Sequence, residues 1–184
     1  MMCLMEPYKQ TTSQSCLPVC LLQCHGIVPS TEKEKEIPFE GLLDLHGGYV
    51  AGIVTAFQRQ YSRRITIYVD NAYFCSFLKT HYDSKNLVFI HQKVRVQFLE
   101  QLSYPVIVQI DTHQLGNYDH SPHYIIIESA TPATFTILEP AVGKRIRMSK
   151  KKLEESIKSL RIRLRYCPLV IKVGNKKTSP NKEN

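Results

Sequence analysis

The second half of the chain constrains the fold most, because three runs rich in β-branched residues follow one another there: YPVIVQID (104–111), HYIIIES (123–129) and TFTILEP (134–140). Branching at Cβ restricts χ1 and suits a pleated, packed surface better than a helix. Turn-forming residues bound each run, so the three read as strands of one antiparallel sheet. SKKKLEESIKSL (149–160) follows with a capping Ser149 and reads as a helix. RIRLRY (161–166) alternates basic and apolar residues, and LVIKV follows Pro168.

The first half carries its apolar residues at helical spacing. Ser15 is placed to cap a helix beginning near Cys16, with Pro18 tolerated in the first turn. GGYVAGIVTAFQRQY (47–61) presents Val50, Ile53, Val54 and Phe57 on one helical face. A strand, RITIYV (64–69), precedes two more expected helices, NAYFCSFLKTHY (71–82) and HQKVRVQFLEQL (91–102). STEKEKEIP (30–38) reads as a charged, exposed segment closed by Pro38. Helices first and strands afterwards indicate an α+β domain, an N-terminal helical half packed on a C-terminal antiparallel sheet.

With 184 residues and 43% hydrophobic content, the chain can bury one core of ordinary size. The expectation is a single domain over 1–173 and a disordered basic tail over 174–184 (GNKKTSPNKEN). No apolar run approaches the length of a membrane span. The start, MMCLMEPYKQ, lacks the parts of a signal peptide. A cytoplasmic location is therefore expected, with the six cysteines kept reduced. Net charge is +8, and ten Lys/Arg residues fall between Lys144 and Arg165 against Glu154 and Glu155 alone. That stretch is either a solvated basic face or a surface for an acidic partner or nucleic acid, though no nucleic-acid-reading motif accompanies it.

The candidate chemistry starts at Cys16, Cys20 and Cys24, spaced four apart and followed by His25. A cysteine at a helix N-terminus faces the positive end of the macrodipole and free N–H groups, which favour a thiolate. Cys16 has that place, whereas Cys20 and Cys24 fall on the side of Leu17 and Leu21 and read as packing residues. As metal ligands, three cysteines on one helix would stand about 6 Å apart per step, too spread for one tetrahedral ion. No metal or cofactor is expected. A thiolate needs a base and the base an orienter. His123 opens one strand and Glu139 ends the next, so an antiparallel hairpin would bring them to the same end of the sheet. His120 and His113 are substitutes for the base, and Asp111 and Asp119 for the carboxylate. Gln10, on an extended segment six residues before Cys16, can fold its amide over the helix start as an oxyanion donor, with Gln14 as competitor.

These residues, in this order, resemble the papain-like bacteriocin-processing (double-glycine leader) peptidases and their stand-alone relatives. The likeness rests on Gln10-x5-Cys16, then PVC in the first helical turn, then YPVIVQID, HYIIIES and ILEPAVG, and it covers residues 8 to about 148. It implies a papain-like cysteine peptidase fold and a peptide or protein substrate. By the same likeness Cys16 is the nucleophile, His123 the general base and acid, Glu139 the orienter and Gln10 the oxyanion donor. Two positions depart from the family pattern. Glu139 stands where the family has Asp before Pro, one methylene longer, and Leu17 replaces the Gly after the cysteine, which is expected to narrow the cleft. Transporter segments of bacteriocin exporters are absent from the sequence, so a double-glycine leader is not the default substrate. The competing expectation is a catalytically silent binding module that uses the basic 144–165 face.

Overall fold

The structure, a computed structural model, describes residues 5–42, 48–116 and 119–174. The tail read as disordered lies outside the described residues from position 175 onward. The described residues form six α-helices and seven strands. They are α1 (Cys16–Cys24), α2 (Thr31–Leu42), α3 (Gly48–Tyr61), β1 (Ile65–Val69), α4 (Ala72–Tyr82), β2 (Leu87–His91), α5 (Val96–Glu100), β3 (Val106–Asp111), β4 (Pro122–Ala130), β5 (Thr134–Glu139), β6 (Lys144–Ser149), α6 (Lys150–Ile162) and β7 (Leu169–Val173).

The strands form one sheet in the order β2-β1-β7-β3-β4-β5-β6. All neighbours pair antiparallel except β1 and β2, which run parallel with α4 as their crossover. The sheet is therefore mixed, and the half read as helical supplies two of its strands. The second of these, β2, falls on NLVFIH, just ahead of the helix expected over 91–102; that helix is the single short α5, Val96–Glu100. A period-2 run of five residues offers too little sequence to stand out beside the longer helical pattern. β7 joins the halves. Its Leu169 pairs with Val69 of β1, and its Ile171 pairs with both Ile67 and Ile107.

Two apolar layers sandwich the sheet. One holds α1, α3 and α4 around Leu17, Leu21, Phe57, Phe89 and Ile126; the other holds α5 and α6 around Val94, Leu99, Phe135, Leu153 and Ile157. α1 is apolar on every side, and eight of its nine residues are buried, as expected of a helix enclosed by the fold. Leu17 is 0% exposed within this layer, so the bulk expected beside the nucleophile is absorbed by the core and does not narrow the cleft.

The segment read as exposed is α2. Its alternating Glu and Lys are strong helix formers, Glu32 and Glu34 complement the positive end of the dipole, and Pro38 is carried inside the helix instead of closing it. Ile37 and Glu34 are fully buried. Gly41 lets α2 approach α3 closely, since a Cβ there would meet the backbone of Ile53 at 2.8 Å.

Candidate active site

Cys16 is the first residue of α1, and the loop before it is tied down by short-range bonds. Ser15 holds the N-cap position but does not cap: its hydroxyl donates to the Thr12 carbonyl at 3.0 Å. The sequence expectation of a serine cap is thus corrected. The amides around Cys16 keep no side-chain cap, and Pro18 brings no N–H. Farther back, the Thr11 N–H and hydroxyl both donate to the buried Glu34 carboxylate of α2, the amide at 2.9 Å. Gln10 donates its backbone N–H to the Pro140 carbonyl at 2.8 Å. Gly143, at φ +64°, lies so close to Lys9 that a Cβ would meet its backbone N at 2.8 Å. The segment leading to Cys16 is thereby held against the turn that follows β5.

That turn carries the carboxylate. Glu139 ends β5 and His123 is the second residue of β4, and antiparallel pairing sets both at one end of the sheet. His123 Nε2 meets Glu139 Oε1 at 2.7 Å, with the two side chains only 7% and 1% exposed. The same Oε1 accepts the Ala141 N–H at 2.7 Å. The extra methylene of glutamate is thus accommodated at full hydrogen-bond strength. Since Glu139 takes Nε2, Nδ1 is the ring nitrogen left to serve the Cys16 side chain, which interacts with this imidazole. Burial alone would favour the neutral imidazole, but the interactions with Cys16 and Glu139 outweigh it and raise His123 to about 9.

Burial pushes Cys20, Cys24, Cys75 and Cys167 up, and all are free cysteines. Cys20 sits against the Tyr124 carbonyl at 3.6 Å, and His25 accepts from Arg63 Nε at 2.8 Å while packing on Phe57 and Tyr61. Among the described residues no group of three or more His, Cys, Asp or Glu side chains is arranged to hold a metal ion.

Two depressions flank the sulfur and the imidazole. The sulfur side is a cavity of about 740 Å³ that includes Cys16, Gln14 and Tyr49. The imidazole side, about 380 Å³, includes His123, Glu139, Gln10 and Thr12. Gln10 spends one N–H of its amide on the Thr12 carbonyl at 2.7 Å. Gln14 is exposed, and its carbonyl accepts the Tyr49 hydroxyl. The substitute base His120 is bonded through Nδ1 to Asp111 at 2.6 Å and stacks on His113, so these three form a cluster of their own. Asp119 is exposed, and its carbonyl accepts the Thr112 hydroxyl. Sequence reasoning missed Glu34; its signal was the helical spacing of Glu34 and Ile37, hidden by the surrounding charge.

No protein-family profile matches the chain, and no curated protein sequence matches it. Among solved structures, one match is the peptidase domain of Streptococcus ComA, a bi-functional ABC transporter involved in a quorum-sensing pathway. The TM-score is 0.56 at 16% identity, over 94% of this chain and all of that domain. The fold is that of a papain-like cysteine peptidase. Within this papain-like fold the buried apolar helix α1 starts at Cys16, and His123 and Glu139 share one end of the sheet. No helix among the described residues is long and apolar enough to cross a membrane.

Proposed function

We propose that the chain is a cysteine peptidase or amide-bond hydrolase, acting as one domain over residues 1–173 on a peptide or protein substrate. One observation carries the reading: a single buried imidazole is hydrogen-bonded to a carboxylate and interacts with a thiol at a helix N-terminus. Glu139 fixes the ring with Nε2–H toward itself, so Nδ1 exchanges the proton with sulfur. The Cys16 thiolate attacks the scissile carbonyl, and the C–S bond forms as the π electrons move to oxygen. The oxyanion is met by the Cys16 N–H and by the second N–H of the Gln10 amide. Collapse of this intermediate expels the amine, which takes the proton from His123. Water, deprotonated by His123, then cleaves the thioester and returns the thiolate.

Iodoacetamide labelling at pH 6 tests this reading. Cys16 should alkylate far faster than the other thiols, and Cys16→Ala should lose the fast phase. Equal, slow labelling of every cysteine overturns the proposal. The binding-module alternative draws less support, because the basic stretch is divided between β6, α6 and the chain after it. Three of its cations are also engaged by acids: Arg145 with Glu128, Lys150 with Glu100 and Arg161 with Asp70. A steep loss of nucleic-acid affinity with salt would favour that alternative.

A further inference from the structure

The cavity beside the sulfur has a feature that the hydrolase chemistry does not use. Gln109 of β3 and Tyr124 of β4 are direct partners in the antiparallel register, so their side chains rise from one face of the sheet as a neighbouring pair. Both residues are almost completely buried, at 3% and 4% exposure, and both line the cavity that holds Cys16. Gln109 Oε1 and the Tyr124 hydroxyl oxygen nevertheless have no hydrogen-bond partner among the described residues. Buried polar atoms in proteins are nearly always paired, so two orphans side by side in one cavity require a reason.

The rest of the lining narrows what that reason can be. Val50, Phe74 and Leu169 make the walls apolar, and among the described residues the one charged lining residue, Arg165, is exposed. A carboxylate or ammonium carried to the orphan pair would lose its hydration without meeting an opposite charge there. Burial pushes the Tyr124 phenol up, so it stays a neutral O–H that can donate as well as accept. A carboxamide oxygen beside a phenolic hydroxyl complements a neutral group that itself both donates and accepts. At about 740 Å³ the cavity has the size of an ordinary ligand site, with room for a full side chain next to the reacting carbonyl.

We propose that Gln109 and Tyr124 determine specificity. The sulfur-side cavity selects a substrate residue with a neutral hydrogen-bonding head, a carboxamide or a hydroxyl, on an apolar stem. The inference rests on the hydrolase reading and sharpens it. An apolar side chain of equal length would fill the walls but leave both buried atoms unpaired, and sites built to bond a polar substrate group discriminate against such analogues.

The test uses two peptidyl vinyl sulfones that differ only in the residue next to the warhead, glutamine or methionine, with iodoacetamide as a reagent too small to reach the orphan pair. In the native chain the glutamine probe should modify Cys16 at least about tenfold faster than the methionine probe. The ratio should fall toward one in Gln109→Leu and in Tyr124→Phe, while the iodoacetamide rate stays unchanged. Tyr124→Phe removes a single oxygen and keeps the packing, so it decides the matter if Gln109→Leu folds poorly. A ratio near one in the native chain, or a preference that survives Tyr124→Phe, overturns the inference. If iodoacetamide finds Cys16 no more reactive than the other thiols, the hydrolase reading has failed instead. The cavity is then judged on the Cys16→Ser chain, by NMR titration with N-acetylglutamine amide and N-acetylmethionine amide. Tighter glutamine binding that Tyr124→Phe abolishes supports the inference, and equal affinities reject it.

Discussion

Two histidine–carboxylate pairs stand three residues apart on this chain, and they look alike until their surroundings are compared. His123 and Glu139 meet at 2.7 Å, and His120 and Asp111 at 2.6 Å. In the first pair both side chains are buried and the second ring nitrogen is left to a thiol at a helix start. In the second the ring is 26% exposed, and its other nitrogen accepts from the Arg163 guanidinium at 3.1 Å. Asp111 also receives the Ser159 hydroxyl at 2.5 Å and the His113 N–H at 3.2 Å. These bonds prevail over its burial and hold its carboxyl below the usual range. The Asp111 cluster fastens the chain after β3 onto α6, whereas the Glu139 pair orients an imidazole that interacts with the Cys16 side chain. A short His–acid contact is thus no signature of catalysis until the far side of the ring is known.

The comparison breaks most visibly at the sulfur. On the proposed mechanism, Cys16→Ala should lower kcat/KM by at least about a thousandfold, because the first pair is left without a sulfur to serve. Progress curves on a peptide substrate would show it, with thermal unfolding little changed. Removing charge from each acid separates the pairs next. Glu139→Gln should cost about a hundredfold in kcat/KM by disturbing the His123 tautomer. Asp111→Asn should instead lower stability by about 1–3 kcal/mol through its buried hydrogen bonds. Denaturant melts and Cys16 alkylation rates, measured side by side, would reveal a reversal of these roles.

The pH response sharpens the contrast further. The folded state raises His123 from the ordinary 6.5 to about 9, so it binds this proton more tightly than the unfolded chain. The resulting stabilisation is fully present below about pH 6.5 and is lost as pH rises through about 9. Protonation of the leaving amine fails over the same interval, so the alkaline limb of kcat/KM should lie near 9. A limb at the ordinary imidazole value would show that the ring is not held by both partners. The smallest effect belongs to His120→Gln, which should leave kcat/KM within about threefold and cost about 1 kcal/mol of stability. A large loss of activity there would make the second pair part of the machinery.

Much of this arrangement was legible beforehand, for physical reasons that can be named. The strand runs 104–111, 123–129 and 134–140 declared themselves through β-branching, and hairpin geometry then implied that His123 and Glu139 emerge together. Cys16 stood out because Ser15 and Pro18 frame a helix start, although the serine hydroxyl turns back to Thr12 instead of capping. Glu34 stayed hidden, since an alternating Glu/Lys segment reads as solvent-facing and only the tertiary fold brings Thr11 onto it. Gln109 and Tyr124 were silent too. Their unpaired atoms result from the β3–β4 register and from the walls around them, and no local pattern encodes either. β2 was missed because five residues beside a stronger helical rhythm carry little signal.

The placement of β7 bears on how such a cleft comes into being. A ribosome delivers the helix that begins at Cys16 early, but the strand seated between β1 and β3 emerges among the last described residues, together with Cys167 and Leu169 of the cavity wall. Until then the two portions of the sheet have no shared strand, and the groove beside the sulfur lacks one side. Assembly order therefore finishes this cleft late: the groove beside the sulfur gains its last wall only after almost all of the described chain has emerged.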